Sequence, residues 1–240
     1  MIFSRTMRLD DYNYLTEESL LMQQIVNAIQ MWYPAQHQHR RWEYALALKA
    51  FKQVFGEQKG LTVTDHGCGA GFLSPMMYWL GQNVWMYECW TMGSAEQYMM
   101  EQMRRVGVHR GQDAGTYEMR TRPLGELVEA DGGVDAAFCI STLEHIGEYQ
   151  KAFRDLLNTV KPGGLLGLTT DFAEHELDDY QYAGLRAGKM FTEKTYLELE
   201  AIGEENGFEL LGGAADWGWS EENRLVNNYG FAALFMVRHE

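Results

Sequence analysis

Cysteine, proline and basic residues are all scarce in this chain. Three cysteines, Cys68, Cys89 and Cys139, stand among 240 residues, odd in number and without a CxxC pair. That excludes a disulfide-stapled secreted scaffold and fits a reducing, cytoplasmic setting. The same three offer no plausible zinc set, and buried cysteine is ordinarily small apolar filling, so no metal is expected. With only four prolines, few positions forbid regular secondary structure. No apolar run approaches the ~20 residues a membrane helix needs, and Met1 to Asp10 lacks the apolar core of a signal peptide. Lys plus Arg number 20 against 34 acids, a formal net charge of −14. Such a field repels a phosphate backbone. The densest basic cluster, Arg40-Arg41 beside His37 and His39, is thin for nucleic acid. Neither nucleic acid nor membrane is expected as a partner.

What is present is a globular composition: 46% hydrophobic, 13% aromatic and 22% charged. Disorder and fibrous repeats are excluded on that ground. A chain this long buries roughly 70–75% of its extended surface and needs no staple. The first 60 residues have a texture of their own. Leu20, Leu21, Ile25, Val26, Ile29 and Trp32 recur at a helical period, and so do Trp42, Ala45, Leu46, Leu48, Phe51 and Phe55, with Pro34 between. This predicts a helical N-terminal cap over residues 1–59 and a second unit over 60–240.

From Gly60 onward short apolar strands alternate with helices. Strands are expected at 61–64, 83–87, 116–121, 134–140, 164–170, 208–211 and 231–237. Helices are expected at 72–80, 95–106, 149–160 and 192–206, the last with Thr192 as N-cap. Such alternation implies a mostly parallel sheet covered on both faces. Ligands bind such sheets at the C-terminal strand ends, where strand order reverses.

One stretch carries the chemistry: Asp65-His66-Gly67-Cys68-Gly69-Ala70-Gly71, directly after a strand and directly before a helix. Its glycines permit a sharp turn and close approach of a ligand to bare backbone, and the helix start offers unpaired N–H groups. A dinucleotide fold expects GxGxxG. Here the pattern is GxGxG followed by Phe72, which crowds a pyrophosphate and suits a cofactor without phosphate. Glu88 closes the second strand, where an acid accepts ribose hydroxyls and repels a 2′-phosphate.

With these blocks in order, followed by Val134-Asp135-Ala136-Ala137-Phe138-Cys139-Ile140-Ser141-Thr142-Leu143-Glu144-His145-Ile146 and by Val160-Lys161-Pro162-Gly163-Gly164, the chain resembles the class I S-adenosylmethionine-dependent methyltransferases. The late pattern of Phe191, Thr192, Leu197, Gly207 and Phe208 is similar to their small-molecule branch. The resemblance covers roughly residues 60–240. It implies a Rossmann-like, seven-stranded, mostly parallel α/β sheet whose last strand is antiparallel, with helices on both faces. It implies S-adenosyl-L-methionine as cofactor, held by Asp65, His66, Gly67, Cys68, Gly69 and Gly71 of the turn, by Glu88 on the ribose and Cys89 beside the adenine, and by Ser141 and Thr142 along the sulfonium. Many relatives place an Asp after the third strand. Here the segment is Arg120-Thr121-Arg122-Pro123-Leu124, which leaves the backbone of Leu124 for the adenine edge.

The expected reaction is in-line methyl transfer to an oxygen or nitrogen of a small-molecule acceptor, where positioning and desolvation supply most of the catalysis. A base is needed only for an acceptor that keeps its proton at neutral pH. His145 is the candidate, with pinning of its loop as the equal alternative. Some O-methyltransferases of the superfamily carry Glu-x-x-Glu-His here and bind a divalent metal. Ser141 replaces the first acid, and two ligands are a poor site for a hard cation. The acidic loop after the fifth strand opens with Asp171, the residue of that loop assigned to the acceptor side; a solvated surface is the alternative for the rest. Trp217 and Trp219 could wall the pocket, while Tyr12 and Tyr14 could close over it. The cap closes one pocket or serves a homodimer. A catalytically inactive binding protein on the same fold and a protein acceptor are the competing readings.

Overall fold

A computed structural model describes residues 1–8, 16–30, 40–88, 93–121, 133–175, 181–182, 185–186, 189–219 and 230–240. All seven expected strands form: β2 (Thr62–His66), β3 (Asn83–Tyr87), β4 (Tyr117–Arg120), β5 (Val134–Ile140), β6 (Val160–Phe172), β9 (Phe208–Leu210) and β11 (Gly230–Arg238). Two short strands, β7 (Gln181–Tyr182) and β8 (Leu185–Arg186), pair with each other outside the main sheet.

The order across the sheet is β4-β3-β2-β5-β6-β11. From β2 the chain first builds outward to β3 and β4, then returns to lay β5 on the other side of β2. All neighbours are parallel as far as β6, and β11 runs antiparallel from Gly230 opposite Phe172 to Val237 opposite Leu165. The order reverses between β2 and β5, so a crevice opens at their C-terminal ends. All seven residues of β5 are buried, as a central strand covered on both faces requires.

Two strands extend this plan. β1 (Ser4–Thr6) pairs antiparallel with β11, and β10 (Ala215–Asp216) pairs with β1. β1 lies in the segment whose texture predicts only helix. It is held by tertiary contacts: Ser4 Oγ donates to the Phe235 carbonyl at 3.1 Å and accepts its N–H at 3.0 Å, and Phe3 and Met7 on either side are buried. β9 takes the remaining length of the same β11 edge.

The helices are α1 (Thr16–Ile29), α2 (Arg40–Phe55), α3 (Leu73–Trp79), α4 (Gly93–Arg110), α5 (Tyr149–Thr159) and α6 (Glu193–Glu205). α5 shows the ordinary amphipathic stripe, burying Ala152, Phe153, Leu156 and Leu157 against β5 and β6. Thr192 precedes α6 as expected, but its hydroxyl makes no capping bond. It meets the Thr195 hydroxyl at 3.3 Å instead.

α2 is different. It buries Trp42, Glu43, Tyr44, Ala45, Leu46, Ala47, Leu48, Ala50 and Phe51, and keeps a narrow solvent-facing side of Arg41, Lys49, Lys52 and Gln53. A helix apolar on nearly every side belongs in a core, and α2 lies between β5 and β6 on one side and α1 on the other. Truncating Leu46, which has no exposed surface, would cost about 2–5 kcal/mol. Among the described residues no helix is long and apolar enough to cross a membrane.

Candidate functional site

The turn after β2 wraps around the end of β3. The Tyr87 carbonyl accepts the N–H groups of Gly67 at 2.8 Å and Cys68 at 3.2 Å, and Gly71 N–H returns to the Cys68 carbonyl at 2.8 Å. Gly67 has φ +73°, and a Cβ there would lie 2.3 Å from Thr142. Both facts demand glycine. Glu88, at the end of β3, accepts the Gly69 N–H on Oε2 at 2.8 Å, so the acid and the bare turn face each other.

Asp65 sits beneath the turn, 3% exposed. Its Oδ2 accepts the Ser74 hydroxyl at 2.6 Å, which ties the strand to the first turn of α3. Burial pushes its carboxyl up to about 6, with the Ser74 hydrogen bonds pulling the other way and Glu88 adding to the rise. His66 is buried on the opposite face of the strand. Its ring stacks on Tyr87 at 4.6 Å, and Nε2 meets the Thr64 hydroxyl at 3.0 Å. Burial depresses its pKa to about 3, so it packs as a neutral ring.

Across the crevice, β5 ends in Ser141 and Thr142. Thr142 Oγ1 donates toward the carbonyls of Ile140 at 3.1 Å and Gly67 at 3.3 Å, so the two halves of the crevice touch here. Ser141 has φ +45°, a left-handed backbone that costs a non-glycine residue roughly 1–2 kcal/mol. Its hydroxyl donates to Glu43 Oε1 at 2.6 Å. Thr169 of β6 donates to the same oxygen, and Arg40 lies 3.6 Å from Glu43 Oε2. Burial pulls the Arg40 guanidinium down, yet Glu43, Tyr44, Glu144 and Asp171 outweigh that and hold it above ordinary arginine.

A single 3-10 turn, Leu143–His145, follows β5. His145 is exposed on it, whereas Glu144 is 2% exposed. Glu144 Oε1 accepts the Asp171 N–H at 3.3 Å, and Oε2 has no hydrogen-bond partner among the described residues. Burial first, then the neighbouring Asp171, drives the Glu144 carboxyl well above its usual range. Asp171 is half-buried near the end of β6. Trp217 is buried against Tyr196 at 4.5 Å, and Trp219 lies 5.9 Å from Phe172; both belong to the wall below β6. Cys68 and Cys139 are buried free thiols, each raised by burial.

The crevice therefore gathers Asp65, Gly67, Cys68, Gly69, Gly71, Glu88, Ser141 and Thr142 at the strand ends, with His145 and Asp171 on its β5–β6 side. Cys89, Leu124, Tyr12 and Tyr14 lie outside the described residues. The sequence points to Arg41-Trp42-Glu43-Tyr44 as a stretch that could reach the methionyl carboxylate or the substrate and to Glu144 only as half of an insufficient metal site, and it gives Arg40 no role here. The available signal was α2 itself: Glu43 stands between Trp42 and Tyr44, away from the side that carries Lys49, Lys52 and Gln53, and a buried acid needs a buried partner.

A family model of a methyltransferase domain matches residues 30–212. The chain is 29% identical over 127 residues to a ubiquinone biosynthesis O-methyltransferase of Bordetella avium (strain 197N), covering 52% of this chain and 48% of that protein. The chain thus spans about half the length of the curated relative it matches. Among solved structures, magnesium protoporphyrin IX methyltransferase (ChlM) from Synechocystis PCC 6803, with bound SAH, superposes with a TM-score of 0.55 at 19% identity, over 96% of this chain and 98% of that one. The cyclase SpnF superposes with a TM-score of 0.59 at 16% identity, over 94% and 95%. The family match takes in α2 and the strands from β2 to β9, and the chain belongs to the methyltransferase-domain family, built on the fold of the class I S-adenosylmethionine-dependent enzymes.

Proposed function

We propose that this chain binds S-adenosylmethionine across the C-terminal ends of β2 and β3 and delivers its methyl group to an oxygen or nitrogen of a small-molecule acceptor. The observation that carries the reading is the pairing of Glu88 with the glycine turn. A Cβ built on Gly69 meets only the Gly67 carbonyl, at 3.9 Å, and the Glu88 carboxylate, at 4.0 Å. Bare backbone and a half-buried acid leave a cradle fitted to a neutral diol rather than to a phosphate.

When bound, the cofactor supplies an electrophilic methyl on a sulfonium, so the chain has only to position, desolvate and move one proton. In this reading Glu88 accepts both ribose hydroxyls. Gly67, Cys68, Gly69 and Gly71 present backbone to the amino-acid end, and Asp65 holds their turn against α3. Ser141 and Thr142 border the transferred methyl, and Cys89 and Leu124 are assigned to the adenine side. His145 and Asp171 flank the acceptor side. His145 accepts the proton of a hydroxyl acceptor on a ring nitrogen, and Asp171 orients the acceptor. The name of the Bordetella relative supports an oxygen acceptor. In this reading the helical part of residues 1–59 caps the crevice, while β1 belongs to the main sheet.

The structural likeness to a cyclase supports a second reading, in which the fold binds its ligand without transferring a methyl group. Calorimetric titration with S-adenosylmethionine and S-adenosylhomocysteine, with NAD as control and Glu88→Ala as a second protein, tests the cofactor. Binding at roughly micromolar Kd that weakens in the variant supports the proposal. A folded wild type that binds neither overturns it. Methyl-labelled cofactor offered with hydroxylated aromatics and amines then separates transfer from binding alone.

A further inference from the structure

Glu43 has surroundings that methyl transfer alone does not explain. It lies in the first turn of α2 with no exposed surface. Its Oε1 accepts two hydroxyl protons, from Ser141 and from Thr169. The Ser141 backbone N–H is held by the Thr169 carbonyl at 2.9 Å and is shared with Thr169 Oγ1 at 3.2 Å. Three of these contacts close a triangle that grips Ser141 by both its N–H and its hydroxyl, at φ +45°. A side chain in that region persists only where its surroundings over-determine it. Here the determining group comes from a helix outside the strand order.

The same turn of α2 reaches the other half of the crevice. A Cβ on Gly71 would lie 3.0 Å from the Tyr44 hydroxyl, and that hydroxyl takes a hydrogen bond from the Phe72 backbone at the start of α3. One helical turn therefore touches the glycine turn, the end of β5 and the end of β6.

We infer that Glu43 is a positioning residue, which fixes Ser141 and with it the β5 wall of the cofactor crevice. The inference rests on the cofactor reading above. Affinity for the cofactor then depends on a carboxylate that acts through Ser141.

The test is a double-mutant cycle. S-adenosylhomocysteine is titrated into wild type, Glu43→Gln, Ser141→Ala and the double variant, and hydrogen exchange is followed over residues 139–146 in all four. Each single variant should weaken binding about tenfold, Ser141→Ala by removing the contact and Glu43→Gln by replacing its charged acceptor with a neutral one, and the double variant should lose about the same, because both changes act on the one Ser141–Glu43 contact. Exchange should quicken over 139–146 while β3 keeps its protection. Wild-type affinity in a folded Glu43→Gln overturns the inference, and so does a double loss of about a hundredfold, the product of independent effects. A purely structural Glu43 would lower Tm and quicken exchange everywhere without a local signature, which also counts against it. If Glu43→Gln does not fold, Ser141→Gly is compared with Ser141→Ala. Glycine adopts the left-handed backbone freely, so recovered affinity upholds the inference and equal loss overturns it. If wild type binds no sulfur nucleotide, the cofactor reading has failed, and exchange alone decides: local acceleration in Glu43→Gln upholds the positioning of Ser141, while unchanged or global exchange rejects it.

Discussion

Two buried carboxylates tie strands together at opposite edges of the same sheet, and they are completed differently. At the N-terminal edge Asp135 of β5 accepts the Thr62 N–H of β2 at 2.8 Å on Oδ2, while its other oxygen pairs with Lys161 of β6. Both oxygens are used, and three strands are joined. At the C-terminal edge Glu43 joins β5 and β6 through Oε1, and its Oε2 lies 3.6 Å from Arg40 without a hydrogen bond among the described residues. Glu144 Oε2 and His66 Nδ1, at the same edge, also lack a partner among those residues. Burying polar atoms without partners costs stability. A fold completes them where it can, as it does around Asp135. Glu43 and Glu144 lie at the edge where strand order reverses, the one suited to a ligand, while buried atoms of Glu18, Gln102 and Asp155 on the helices are incomplete as well.

The sharpest way to probe this contrast is pH, because neighbouring residues of β2 carry opposite slopes. His66 has a folded pKa of about 3 against an ordinary 6.5. Its neutral form is favoured by folding, so the associated stability is full above pH 6.5 and is lost as pH falls toward 3, by on the order of 5 kcal/mol. Urea unfolding across that range should show the loss, and His66→Gln should flatten it. An unchanged acid limb in the variant would assign the lability elsewhere.

Asp65 works the other way. Its folded pKa of about 6 stands above the ordinary 3.8, so folding favours the protonated form. Stability is full below pH 3.8 and declines by about 3 kcal/mol as pH rises through 6. Asp65→Asn keeps an acceptor for Ser74 and should make the ligand-free protein more stable at pH 7. A variant less stable at neutral pH would show that the ionised carboxylate is wanted by the fold itself.

The next effect separates the edges directly. Glu88→Ala should weaken S-adenosylhomocysteine binding by about 2 kcal/mol, roughly thirtyfold, with little change in Tm. Asp135→Ala should do the reverse: about 1–2 kcal/mol of stability lost with Kd unchanged. Either variant showing the other's phenotype would dissolve the distinction.

Much of this was legible in the sequence, and the exceptions are instructive. The run Val134-Asp135-Ala136-Ala137-Phe138-Cys139-Ile140 is continuous enough to mark a central strand, and β5 occupies those seven residues. The glycine turn and Glu88 are local signals, and they meet as a local hydrogen bond. β1 was not legible, because Ser4-Arg5-Thr6 carries no alternation and becomes a strand only through the β11 edge. Glu43 stands in a stretch, Arg41-Trp42-Glu43-Tyr44, that the sequence brings toward the cofactor or the substrate, but its contact with Ser141 and Thr169 was not legible. Its partners lie 98 and 126 positions away, beyond any local pattern. His145 drew attention through its sequence neighbourhood, yet the buried member of that pair is Glu144.

The central claim is that the C-terminal ends of β2, β3 and β5 form the cofactor edge while the N-terminal ends are purely structural. Hydrogen exchange with and without S-adenosylhomocysteine tests it in one comparison. The account predicts new protection over residues 65–71, at Glu88 and over 139–146, and none at Asp135 or over 160–163. Protection confined to the N-terminal edge, or none anywhere at saturating ligand, would contradict it.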